Sequence, residues 1–198
     1  MFRRGRRAAS VVVTILALAG PAACTAKPGA GGRSGPSAAP PPGGSSNASS
    51  PASPAALAGG ACLLMDFGTV KKQLGTAFTV AAAADSSGSY TCVLQESSGT
   101  YPSLVLSITA TDLSTADFKA NVVPDGSSSV SELGRIAYEL QAPATKTAGP
   151  AVEIGWLSGN NRLIMFRYTF PTGTASAVAT ALGPKMVSLS KIVDQTTG

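Results

Sequence analysis

The chain contains no histidine. That absence excludes Ser-His-Asp and Cys-His nucleophilic catalysis and any imidazole-bound metal. Charge is scarce: Asp, Glu, Lys and Arg are 13% of the 198 residues, against about 25% in an average globular chain. Acidic residues are missing from the first 65 positions, Asp66 being the first. The apolar stretch Val11–Ala19, about nine residues, falls well short of the ~20 that a membrane-spanning helix needs. Cysteine is limited to 3, an odd number.

The formal net charge of +5 is unevenly spread. Residues 1–23 hold four arginines and no acid, and residues 24–61 hold only Lys27 and Arg33. Residues 62–198 hold nine Lys/Arg against ten Asp/Glu, a net of −1. A near-neutral domain lacks the basic face that nucleic-acid binding requires, so no nucleic-acid partner is expected.

Residues 1–23 read as an export signal. Arg3, Arg4, Arg6 and Arg7 form a positive start, Val11–Ala19 is the apolar centre, and Gly20-Pro21-Ala22-Ala23 supplies the small residues of a cleavage site. Cys24 follows directly and resembles the cysteine of a bacterial lipobox, which implies cleavage before it and lipid on its sulfur. Pro21 stands where that pattern has Leu. Two acyl chains give stable anchoring where one is marginal. Arg6-Arg7 also resembles a twin-arginine signal; an ordinary arginine-rich start is the plainer reading.

Residues 24–60 then form a tether. Between positions 25 and 61, Ala, Gly, Ser and Pro make up 32 of 37 residues. Such a segment cannot bury enough apolar area to offset its ordering entropy. As a coil it spans roughly 35 Å; extended it reaches about 120 Å.

From residue 61 to 198 the pattern is that of one α+β domain. Leu63, Leu64, Phe67, Val70 and Leu74 recur at helical spacing over 62–75, with Gly75 as the stop. Alternation follows at Phe78-Val80-Ala82, Tyr90-Cys92-Leu94 and Leu104-Leu106-Ile108. A second helix fits 114–122, capped by Ser114 or Thr115. Three more alternating runs carry Ile136-Tyr138-Leu140, Val152-Ile154-Trp156 and Ile164-Phe166-Tyr168-Phe170, the last two joined at Gly159-Asn160-Asn161. Val178, Leu182, Met186, Leu189 and Val193 predict a final helix, with Pro184 expected to kink or break it. The order α-βββ-α-βββ-α predicts six mostly antiparallel strands with helices packed on the sheet.

Cys62-Leu63-Leu64, Leu74-Gly75, Cys92, Leu133-Gly134 and Ala137-Tyr138 together resemble an actinobacterial cell-envelope lipoprotein family built on a domain of unknown function. The resemblance spans most of 62–193. It implies a small α+β fold at the cell envelope and no known activity. Members often carry Trp after the second cysteine, where this chain has Val93-Leu94.

With Cys24 assigned to lipid, Cys62 and Cys92 are left to pair in an oxidising compartment. The alternatives are two buried thiols or a two-cysteine metal site, which lacks further ligands. No metal and no cofactor is expected.

Ser188-Leu189-Ser190-Lys191 matches S-x-x-K, the acylating motif of penicillin-binding proteins. It lies late in a helix, and Lys146-Thr147-Ala148 lacks the glycine of the companion K-T-G. The ten acids are scattered and suggest no catalytic pair. Trp156, Tyr168 and Phe170 are candidates for an apolar ligand pocket, although core packing is the commoner use of such positions. Arg162 and Arg167 flank the same strand and could meet an anion.

The expectation is a lipid-anchored monomer on the outer face of the cell membrane. Its domain would bind an apolar small molecule or an envelope protein without catalysis. The alternative is an envelope hydrolase using carboxylates or a Ser-Lys pair.

Overall fold

The computed structural model describes residues 55–197; the export signal, Cys24 and residues 24–54 of the tether lie outside them. Short 3-10 segments at Ala56–Ala58 and Gly60–Leu64 precede α1 (Phe67–Leu74). Three strands follow: β1 (Val80–Ser86), β2 (Ser89–Gln95) and β3 (Ser103–Ala110). After α2 (Thr115–Asn121) come β4 (Ser128–Val130), β5 (Ile136–Ala142), β6 (Ala151–Leu157), β7 (Arg162–Thr169) and α3 (Ser176–Thr197). The strands form a single sheet in the order β1-β2-β3-β7-β6-β5-β4. Every neighbouring pair is antiparallel. Two meanders thus enter from opposite edges and meet where β3 pairs with β7.

The expected α+β architecture is present, but the sheet has seven strands rather than six. The additional strand is β4, whose Ser-Ser-Val is too short and too polar to show alternation.

The first expected helix is also divided. Met65 is extended, and the Asp66 carboxylate accepts a 2.6 Å hydrogen bond from the Thr69 backbone N–H. An N-cap residue takes a non-helical conformation, so α1 cannot start before Phe67. It ends at Gly75, held at φ +85°, where a side chain would be strained. Ser114 caps α2 as expected, accepting from the Asp117 N–H and donating to its carboxylate.

Pro184 lies inside α3, which runs unbroken past it. The proline removes one ladder bond, yet Ala179, Leu182, Met186, Leu189 and Val193 stay buried on both sides of it. At about 1.5–3 kcal/mol for each large apolar side chain buried, that stripe outweighs the ~3 kcal/mol cost of the break. Gly183 brings α3 close to β5, because a Cβ there would overlap the Glu139 carboxylate.

Alternation divides the sheet into two unequal faces. On the first, Leu94, Leu104, Leu106, Ile154, Trp156, Ile164 and Phe166 are fully buried in the main core, together with Val70 and Leu74 of α1 and the α3 stripe. Cys62 bonds to Cys92 with Cα atoms 4.9 Å apart, stitching the N-terminal segment to β2. Trp156 donates from Nε1 to Asp194 Oδ1 at 2.8 Å, fixing the end of α3 over β6.

On the second face Phe118 of α2 packs with Tyr138 and Leu157 in a smaller cluster. The Ile136-Tyr138-Leu140 run points to this face, not to the α3 side: Ala137 stands opposite Trp156, which places Tyr138 beside Gly155. Gly155 is required there, since a Cβ would fall 2.5 Å from Tyr138 Cε1. The Tyr138 hydroxyl donates to Glu153 Oε1 at 2.8 Å, and Arg167 reaches Glu153 Oε2, also at 2.8 Å. Burial first, and then the hydrogen bond to Glu153 and its charge, push the Tyr138 phenol well above its ordinary value.

Two stability outcomes follow from these contacts. Reducing Cys62–Cys92, which are 30 residues apart, should lower the unfolding free energy by about 3–4 kcal/mol in urea titrations. Tyr138 binds its proton more tightly folded than unfolded, so its contribution to stability is complete below about pH 10 and lost as pH rises further. The unfolding free energy should then fall by up to about 1.4 kcal/mol per pH unit above pH 10. Tyr138→Phe should remove that share of the slope.

Candidate functional site

β2, β3 and β7 converge at one end of the first face with the C-terminal turn of α3 and the Gly60–Leu64 segment. Between them lies a cleft of about 370 Å³, lined by Leu63, Leu64, Tyr90, Ile108, Arg162 and Thr196, among others. The volume is near the lower end of the ~300–1,000 Å³ typical of ligand sites.

The lining is apolar but not closed off. Leu63 and Tyr90 are 66% and 44% exposed, two of the five large hydrophobic side chains left open to solvent among the described residues. Leu63 is exposed because its 3-10 segment turns away before α1 begins; the helix expected through 62–75 would have turned it elsewhere. Arg162 contributes the one charged side chain of the lining. It is exposed, and its guanidinium has no hydrogen-bond or ionic partner among the described residues. An apolar wall with one unpaired cation suits a largely apolar ligand carrying a single negative group.

One residue of this cleft carries a signal in the sequence. Arg162 is in phase with Ile164, Phe166 and Tyr168, so it places a charge on the otherwise apolar face of β7.

The three aromatic candidates are only partly brought together. Tyr168 and Phe170 have ring centroids 4.6 Å apart. They line another, smaller cleft of about 190 Å³ with Leu74, Val178, Leu182 and Lys185. The Tyr168 hydroxyl lies 2.8 Å from Thr76 Oγ1. Burial raises the Tyr168 phenol above its ordinary value, partly offset by that hydrogen bond. Trp156 lines neither cleft: it is fully buried and its indole N–H is spent on Asp194.

The other candidate groups are engaged elsewhere. Arg167 is paired with Glu153 on the second face. Ser188 Oγ donates to the Pro184 carbonyl at 3.0 Å, and Lys191 Nζ meets Glu132 at 3.1 Å. The S-x-x-K match therefore has its hydroxyl tied to its own helix and its ammonium turned to an acid. Among the described residues no group of three or more Cys, Asp or Glu could hold a metal ion. Cys24 lies outside the described residues.

Comparison with protein-family models, with curated proteins and with solved structures gives no match for this chain.

Proposed function

We propose that the protein is an extracytoplasmic lipoprotein whose α+β domain binds a small apolar anion, without catalysis, in the Leu63–Tyr90–Arg162 cleft. In this reading it belongs with the small α+β envelope lipoproteins that its cysteine and Leu-Gly motifs resemble. The chain is cleaved before Cys24, lipid on that cysteine holds it at the outer face of the cell membrane, and the tether carries the domain away from the surface. The arginine-led apolar run ending in Ala22-Ala23-Cys24 supports the anchor.

The observation that carries the binding role is the pairing of exposed Leu63 and Tyr90 with an unpartnered Arg162 around one cavity. Leaving a large apolar side chain in water forgoes about 1.5–3 kcal/mol of burial, and a ligand recovers it. The absence of an acid from the same lining favours an anion over a cation.

Mass spectrometry of the exported chain should find diacylated Cys24 at its N-terminus. An unmodified cysteine, or a start elsewhere, overturns the anchor. A fluorescent long-chain fatty acid titrated into the full chain in mild detergent should saturate. Arg162→Ala should weaken that binding by about tenfold, and Lys185→Ala, in the other cleft, should leave it unchanged. Equal binding by the Arg162→Ala chain overturns the assignment of the cleft.

A further inference from the structure

The two edges of the sheet are built very differently. β4 is three residues long, whereas β1 is seven and six of those are exposed. Its sequence, Val-Ala-Ala-Ala-Ala-Asp-Ser, carries no proline and no lysine. Proteins commonly blunt an edge with such residues, because a row of free N–H and C=O groups is a template for another strand. Among the described residues no backbone group pairs with the outer side of β1. Among the described residues, three of the five large exposed hydrophobics, Leu63, Val80 and Tyr90, lie on β1, on β2 or on the segment packed against them.

We infer that β1 pairs edge to edge with β1 of a second copy of this chain, in place of the expected monomer. The register follows from the hairpin. Ser87 and Gly88, at φ 52° and 79°, form a two-residue loop between Ser86 and Ser89. Such a loop makes Ser86 and Ser89 a hydrogen-bonded pair, so Ala84, Ala82 and Val80 also point their amides inward to β2. Ala81, Ala83 and Asp85 point theirs outward.

An antiparallel pairing centred on Ala83 sets Ala81 opposite Asp85, Ala83 opposite Ala83, and Asp85 opposite Ala81. All three outward residues of each copy are then satisfied. A shift by one pair in either direction leaves some unused, and centring on Asp85 sets the two carboxylates opposite each other, which is destabilising. The centred register also sets Ala82 of one copy opposite Ala84 of the other on the second face.

The geometry also favours a second copy over an unrelated strand. The two-fold axis of this pairing is perpendicular to the sheet, so the N-terminal segments of both copies lie on the same face. With the anchor proposed above, both tethers can run to one membrane. Confinement there raises the local concentration and supports an edge contact too small to hold a dimer in dilute solution. That last step rests on the anchor; the pairing itself rests on the sheet.

Two differently tagged full-length chains, one carrying Ala82→Cys and the other Ala84→Cys, should be co-expressed and oxidised at the membrane. Residues opposite each other at non-hydrogen-bonded positions have Cα atoms about 4.5 Å apart, within disulfide range. The mixed pair should cross-link at least about tenfold more than either variant alone, whose cysteines stand one diagonal apart. Cross-linking no stronger in the mixture overturns the proposal. An independent measurement avoids new cysteines: at the membrane, energy transfer between two fluorescently tagged chains should be abolished by Ala82→Lys with Ala84→Lys in one chain, and kept by Ala82→Lys with Ala84→Glu. A Lys/Lys chain that dimerises as well as the parent also overturns it. Release of the Cys24→Ser chain into the medium is read separately and tests the anchor alone.

Discussion

A seven-stranded sheet has two faces to cover, and the described residues supply helix enough for one. α3, 22 residues long, lies over β5 and β6 and reaches α1. The disulfide-held N-terminal segment covers β1 to β3 on the same face. Together they form a continuous main core from Ala55 to Val193. Among the described residues the second face has only α2, seven residues with one buried side chain, Phe118. Its β1–β3 half carries Val80, Ala82 and Ala84 exposed and Val93 and Val105 half-buried. Hydroxyls in that half pair across strands, Ser89 with Thr109 at 2.8 Å and Thr91 with Ser107 at 3.1 Å. An open antiparallel face tolerates this, because its side chains can be small and polar while the other face holds the core.

The same shortage of covering elements explains where the clefts fall. α3 crosses the sheet as one rod, and the layer beneath it is complete only along its middle. Trp156 and Asp194 seal the layer near the helix C-terminus, where Asp194 also accepts from the Gly134 N–H at 3.3 Å. Beyond that seal, towards β2 and β3, the layer is finished by the N-terminal segment, which contributes Leu63 and Leu64 but no helix. The larger cleft opens there. At the other end of α3 the gap between α1 and α3 is filled only by Tyr168, Phe170 and their neighbours, and the smaller cleft opens there.

Strands with large apolar residues in alternation were legible because period 2 on one face is a strong signal. β2, β3, β6 and β7 all follow it. What the pattern does not carry is which face each strand presents. Ile136-Tyr138-Leu140 and Val152-Ile154-Trp156 look alike in sequence but lie on opposite sides of the sheet, because the β5–β6 register sets Ala137 against Trp156. β4 escaped notice since Ser-Ser-Val has no apolar rhythm. The break at Met65-Asp66 was hidden because Leu63, Leu64 and Phe67 keep helical spacing across it; the sign of the break is the capping carboxylate of Asp66 just before Phe67. Of the candidate site, the arginine in phase with an apolar strand face was visible at Arg162. The cleft around it was not, because it depends on an exposed Leu63 that a continuous helix would not have provided.

Pairing of Cys62 with Cys92 decides more than stability. Cys92 stands directly opposite Ala83 in the β1–β2 ladder. The bond therefore draws the N-terminal segment across the first face beside the outermost strand, and Gly60 comes so near that a Cβ on it would lie 3.5 Å from Ala83 Cβ. With the segment held there, Leu63 projects over the end of β2 beside Tyr90 and closes one wall of the larger cleft. Among the described residues the same placement leaves the outer backbone of β1 uncovered, because the segment lies on the face of the strand and not along its edge. One covalent constraint on a short apolar segment thus sets both the wall of the cleft and the openness of the edge.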